Sequence, residues 1–339
     1  MMKEKLFTEY STDKLVRGEI MYKLILVLIT AFTLAVIAAP ILIPVLHRLK
    51  FGQEIREIGP KWHQKKSGTP TMGGVIFIIP VILCSVLFVR NLTGLCLLLF
   101  GVSFGLIGFV DDYIKVVKKR NLGLTEKQKF LLQLLASVIF LLVAMYLDII
   151  DSKIFIPFIK ISVDFGWVYI PFALVVLLGT TNAVNLTDGI DGLASSVTVI
   201  VSIVFAVLSY LSGNMAVCEF AVIVAGGCLG FFMFNKCPAK VFMGDTGSLF
   251  LGGSVCAMAL VLKQPILLVI IGGVYVVETL SVIIQVASFK LTGKRVFKMS
   301  PIHHHFEMSG WSENKIVVVA VSISVLLGII SVLGGIKLG

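Results

Sequence analysis

The chain has 339 residues, of which 58% are hydrophobic and only 14% charged, with a mean hydropathy of +1.02. A soluble domain carries about 25% charge, so this composition excludes one or two soluble domains and describes a polytopic integral membrane protein. The ten prolines and 31 glycines are too few and too scattered for a collagen-like chain, and six cysteines without any C-x-x-C pair exclude a zinc ribbon or a disulfide framework.

In chain order, apolar stretches at 22–46, 73–89, 94–110, 130–147, 167–181, 193–211, 216–234, 249–262, 266–288 and 316–336 predict about ten spanning helices in an all-α fold. No small-residue cleavage site follows the first stretch, which is read as a retained span with residues 1–21 as an N-terminal extension. Residues 22–336 then form one transmembrane domain. Nineteen of the 29 Lys and Arg fall in the connections 47–72, 111–129, 182–192, 235–248 and 289–315, and ten fall on the other side. By the positive-inside rule those five connections are cytoplasmic and both termini lie outside. The net charge of +10 is therefore a topology signal, and no nucleic-acid partner is expected. Most outward connections are short; 148–166 is expected to cover the outer face as a hairpin.

Five constellations carry chemistry, one in or beside each of those five connections. Asp111-Asp112-Tyr113-Ile114-Lys115 follows the third apolar stretch. Two carboxylates at a helix C-terminus oppose the macrodipole, so a cation must offset them: Mg²⁺, or the Lys115, Lys118, Lys119 and Arg120 cluster. Asn182, Asn185, Asp188 and Asp191 recur every third residue, and the pairs Asp188-Gly189 and Asp191-Gly192 predict that the backbone leaves the helix there. Amides and carboxylates without a Lys or Arg suit a nucleoside, or water around a metal, or simply a capped loop. Phe242-Met243-Gly244-Asp245-Thr246-Gly247-Ser248 opens the eighth stretch; its small residues allow close approach and its helix start favours phosphate, while Asp245 is a metal ligand, a base or a cap. His303, His304 and His305 are consecutive, so they cannot share one zinc on a regular element; phosphate hydrogen bonding and loop ordering suit them better. The run 61–74, with Lys61, Lys65 and Lys66 before a Gly-rich span start, suits phosphates or lipid headgroups, or a plain topology anchor. Glu278, inside the ninth stretch, is an intramembrane acid and so a functional candidate or a partner at a kink.

KSGTPTMGG at 66–74, DDYIK at 111–115, NAVNLTDGIDGL at 182–193, FMGDTGS at 242–248 and SPIHHHFEMSGWSE at 300–313 together resemble the polyprenyl-phosphate N-acetylhexosamine-1-phosphate transferases, over about 22–336. The His-His-His-Phe-Glu form is similar to the phospho-N-acetylmuramoyl-pentapeptide transferase branch. The resemblance implies a Mg²⁺-dependent enzyme of the bacterial cytoplasmic membrane, with its active site on the cytoplasmic face, acting at the first membrane step of peptidoglycan synthesis. Undecaprenyl phosphate attacks the β-phosphorus of UDP-N-acetylmuramoyl-pentapeptide (UDP-MurNAc-pentapeptide), giving lipid I and UMP. It implies metal binding by Asp245, and orientation or deprotonation of the lipid phosphate by Asp111 or Asp112, with Asp112 slightly preferred. Asn182, Asn185 and Asp188 fall near uridine and metal, with Gly189 and Phe242 against the base. Lys66, Lys115, His303, His304 and His305 serve substrate phosphates, with His303 in the catalytic set, and a homodimer is implied. Two other readings stay open on the residues alone. One is a transporter using Glu278 and the loop aspartates as a proton path; the other is the same transfer from UDP-N-acetylglucosamine.

Overall fold

The computed structural model describes residues 2–48, 68–118 and 123–336. Twelve helices follow one another: α1 (Met2–Arg48), α2 (Val75–Phe88), α3 (Leu92–Val117), α4 (Glu126–Tyr146), α5 (Tyr169–Thr187), α6 (Leu193–Leu211), α7 (Met215–Asn235), α8 (Gly244–Val261), α9 (Leu268–Ile271), α10 (Gly273–Thr292), α11 (Ile302–Glu307) and α12 (Glu313–Gly335). Among the described residues nine are long and apolar enough to cross a bilayer, and the shorter α2 fills the place of the tenth expected span. Their starts follow local chemistry. The Asn91 side chain accepts from Gly94 N at 2.7 Å to cap α3, Thr125 and Gln128 form a capping box on α4, and Ser312 caps α12. The ninth stretch, read as one run, is broken at Gly272 into α9 and α10. Between α4 and α5 lies the expected hairpin: β1 (Lys153–Ile156) pairs antiparallel with β2 (Ile161–Asp164), Lys153 opposite Asp164.

Helix α8 is the axis of the bundle: 89% of its apolar window is buried, against 28% for α4 and α12. That burial depends on small residues, because only close backbones give dispersion contact where lipid is as apolar as the side chains. A Cβ on Gly101 would lie 2.5 Å from Ser254 Oγ, and one on Gly252 would lie 2.6 Å from Thr181 Cα. So α3 and α5 approach α8 almost backbone to backbone. The outer helices turn Leu, Ile and Val outward, as at Leu131, Leu142 and Val318, which is the surface a bilayer solvates.

Three boundaries move the chemistry. Helix α3 runs on to Val117, so Asp111, Asp112 and Lys115 lie on its last two turns rather than after it. Helix α5 continues to Thr187 before Asp188 turns the chain, and Gly192, at φ +79°, begins the return into α6. Helix α8 starts at Gly244, at φ +72°. The ends of α3 and α5 and the starts of α4 and α8 thus meet at one end of the bundle.

Candidate active site

Asp245, in the first turn of α8, is the hub. Its Oδ2 accepts from Lys115 Nζ at 2.9 Å and from Lys129 Nζ at 2.8 Å, while its Oδ1 accepts from Asn185 Nδ2 at 2.8 Å. Lys115 also reaches Asp111 Oδ2 at 2.6 Å and Asp112 Oδ1 at 3.7 Å. One carboxylate oxygen from each of Asp111, Asp112 and Asp245 lies within 4.8 Å of the others. Lys115, from the same helix, therefore offsets the paired aspartates, and Lys129 of α4 adds a second cation at Asp245. Lys118 is exposed, and Lys119 and Arg120 lie outside the described residues.

The two adjacent aspartates do different work. Asp112 accepts from Asp245 N at 3.2 Å, Thr246 N at 2.9 Å and Thr246 Oγ1 at 2.7 Å. It is the anion at the N-terminus of α8, occupying the donors that the sequence assigned to a phosphate. Gly244 makes this possible: its Cβ would stand 2.6 Å from Asp112 Oδ2. Asp111 accepts Leu124 N at 2.8 Å, where the α3–α4 connection folds back, and a Cβ on Gly123 would strike its Oδ1 at 2.5 Å. Both carboxylates are 3% exposed, so neither is a solvated helix end.

Residues 70–74 dock on the same corner. Phe242 N donates to Pro70 O, and Gly73 N and Gly74 N donate to the carbonyls of Phe242 and Met243, all at 2.8–2.9 Å. Gly74 is needed because its Cβ would lie 2.4 Å from Gly247 Cα. Phe242 itself is half-buried at this junction. Lys66, like Lys61 and Lys65, lies outside the described residues. Asn182 is tied one turn deeper, its Nδ2 donating to Gln133 Oε1 at 2.9 Å. Asp188 closes α5; burial first, then the charges of Asp245, Asp112 and Asp191, push its carboxyl well above the usual carboxylate range, against a hydrogen bond from the Gly244 backbone.

A second centre stands beside the first. The three histidines of α11 turn to three partners, as consecutive positions require. His303 Nδ1 is 2.9 Å from Glu278 Oε2, His304 Nδ1 is 2.6 Å from Glu307 Oε2, and His305 Nδ1 accepts from Lys298 N at 3.2 Å. His305 is thereby a loop-ordering residue here. The segment 185–191 joins the centres: Asn185 grips Asp245, Gly189 lies against the His303 ring, and Asp191 N donates to Glu313 Oε2 at 3.1 Å.

Lys129 is the residue that sequence reading missed. It sits at the start of a span, where a lysine reads as an anchor, yet Lys129, Gln133 and Ser137 fall at i, i+4 and i+8 on one face of α4. Gln133 and Ser137 are fully buried. A polar stripe in an apolar helix was the available signal.

A cluster of carboxylates, lysines and amides at one end of an apolar bundle can bind and polarise a phosphate group while the lipid side stays apolar. Comparison with known proteins gives the chain a family. Residues 94–263 match the family described as Glycosyl transferase family 4, and residues 66–78 match phospho-N-acetylmuramoyl-pentapeptide-transferase signature 1. A phospho-N-acetylmuramoyl-pentapeptide-transferase of Halalkalibacterium halodurans is 52% identical over 314 residues, covering 91% of this chain and 96% of its own. Relatives of the same name from Acetivibrio thermocellus and Clostridium perfringens are each 53% identical, covering 90% of this chain and 93% and 96% of theirs. With similarity extending across the spans as well as the motifs, the chain belongs to the phospho-N-acetylmuramoyl-pentapeptide-transferase family.

Proposed function

We propose that the protein transfers phospho-N-acetylmuramoyl-pentapeptide from its UDP donor to undecaprenyl phosphate, releasing UMP and forming lipid I. The observation that carries this reading is the convergence of Asp111, Asp245, Lys115 and Lys129 at one end of the bundle, in a chain about half identical to transferases of that name. Lys115 and Lys129 hold non-bridging phosphate oxygens. Asn185 fixes the rotamer of Asp245 by donating to its Oδ1. Asp111 is the better candidate to orient or deprotonate the lipid phosphate, because Asp112 is committed to three donors of α8. Phe242, Gly189 and Asp188 face the nucleoside, and His303 and His304 the donor phosphates.

Mg²⁺ fits this donor set: hard carboxylate oxygens of Asp111, Asp112 and Asp245 within 4.8 Å of one another, with no soft ligand among them. Asp245 and Asp111 would hold it, with Lys115 and Lys129 transferring to phosphate oxygens. When bound, the ion would neutralise the diphosphate and the leaving UMP. The excess of Lys and Arg in the connections supports a cytoplasmic position for this end of the bundle in the bacterial inner membrane, with both termini outside, and the family resemblance supports a homodimer as the working form.

The reading is tested by UMP release from purified protein given undecaprenyl phosphate, Mg²⁺ and either UDP-N-acetylmuramoyl-pentapeptide or UDP-N-acetylglucosamine. Metal-dependent release from the pentapeptide donor alone is expected. Release from the other donor alone would reassign the substrate, and release from neither would remove the transferase reading.

A further inference from the structure

Glu278 is 4% exposed and sits on α10, inside the apolar bundle, with no role in the aspartate centre. A carboxylate in that position needs a partner to offset its lost hydration. Its Oε2 takes both groups that His303 offers: Nδ1 at 2.9 Å and the backbone N–H at 3.4 Å. With the carboxylate on Nδ1, the ring's other nitrogen is left as an acceptor, or as a second donor when the ring is charged. That nitrogen is the unusual atom. His303 Nε2 is fully buried and has no hydrogen-bond partner among the described residues. An unmatched buried polar atom of this kind is destabilising, and a ligand atom that met it would relieve that cost.

Gly189 shows where the ligand comes from. Its missing Cβ would lie 2.2 Å from His303 Nε2 and 2.5 Å from Cε1, and the three nearest atoms all belong to His303. Gly189 is itself exposed, so a glycine Cα is what stands between Nε2 and the open face beside Asp188. Any side chain at 189 would displace the ring.

We propose that Glu278 is a positioning residue: it fixes the His303 ring so that Nε2 is held beneath Gly189, where a small displacement of the Asp188–Gly189 turn lets Nε2–H of the charged ring donate to a phosphate oxygen of the nucleotide-sugar donor. This rests on the transferase reading above. Glu278 acts through His303 and touches no substrate, and Gly189 is the thin cover that sets access to the nitrogen.

The test is a double-mutant cycle on the full-length protein, scored by UMP release from UDP-N-acetylmuramoyl-pentapeptide and by thermal unfolding in detergent. Glu278→Leu and His303→Ala should each lower kcat by about 10²-fold, the scale of one lost transition-state contact, with KM for undecaprenyl phosphate unchanged. Glu278→Gln keeps an acceptor for Nδ1 and should recover to within about tenfold of the wild type. In the His303→Ala background, Glu278→Leu should have almost no further effect, because residues acting as a unit are non-additive. Gly189→Ala should likewise inactivate the wild type, yet cost little more once the ring is gone. Additive losses, or full activity in Glu278→Leu, would overturn the proposal. If Glu278→Leu does not fold, the same cycle with Glu278→Gln decides. Wild-type protein that releases no UMP would fail the transferase reading instead, and so is distinguished from a failed cycle.

Discussion

Two lysines close on one oxygen of Asp245, and a third donor, Asn185, takes the other. Lysine charge at this point has no structural need that one residue would not meet, since Lys115 alone reaches all three aspartates. Lys129→Met should therefore leave thermal unfolding close to the wild type while lowering kcat by about 10²–10³-fold, the usual cost of one preorganised charge. Steady-state UMP release with a melting curve on the same sample checks both parts. The adjacent aspartates should separate in the opposite sense. Asp112→Ala strips the anion from three donors of α8 and should destabilise the protein by about 1–3 kcal/mol. Asp111→Asn keeps an oxygen for Leu124 N, so its unfolding should shift little while turnover collapses. Equal melting temperatures for the two variants would refute the division of labour. The sequence told these residues apart from ordinary loop charges but could not say which aspartate was the cap. That assignment depends on α8 meeting α3 133 residues away in the chain, a contact that no local pattern encodes.

At the scale of elements, the helices were legible because a bilayer imposes a length and a composition on them. Their ends were less so. Asp111, Asp112 and Lys115 look like the start of a loop when hydropathy is averaged, but tertiary partners neutralise them and the helix continues to Val117. The break at Gly272 was hidden for the converse reason, since both sides of it are apolar. The stretch 148–166 was read correctly as holding a hairpin, with nothing in its sequence to say which strand residues pair. Close crossings carry a prediction of their own. A Cβ on Gly108 would stand 2.0 Å from Asp245 O, with backbone rather than a flexible side chain in the way. Gly108→Ala should cost about 1–3 kcal/mol through overpacking and, because it pushes on the first turn of α8, should lose activity well below its unfolding temperature. Intact activity at normal stability would mean that the α3–α8 crossing does not set the site.

On the scale of the whole molecule, the site concentrates negative charge where folding has removed water. Asp188 illustrates the consequence. Burial and its acidic neighbours raise its pKa, so the folded chain holds that proton to a higher pH than the unfolded chain does. The folded state then binds more protons across the window above the usual carboxylate range, and stability falls as pH rises through it. The divalent cation proposed above, held by Asp111 and Asp245, would offset the acidic charges that raise Asp188 and so favour loss of that proton. Between about pH 5 and pH 8 the unfolding temperature should fall in the presence of a chelator, and added Mg²⁺ should flatten that fall. A chelator-treated protein whose unfolding temperature rises across that range would have the sign wrong. The bundle itself was legible in the lengths of the apolar stretches; the joining of an aspartate centre to a histidine centre through residues 185–191 was not, because it is made by three contacts to three different helices.

The most direct test of the central claim compares UMP release by wild-type protein and by Asp245→Asn, with UDP-N-acetylmuramoyl-pentapeptide, undecaprenyl phosphate and Mg²⁺ all present. Asparagine preserves the shape and an oxygen for Asn185 but removes the charge that Lys115 and Lys129 share. The account predicts a folded protein with turnover reduced by at least about 10³-fold. Near-native UMP release from that variant would contradict it, because the aspartate–lysine cluster would then not be where phosphoryl transfer occurs.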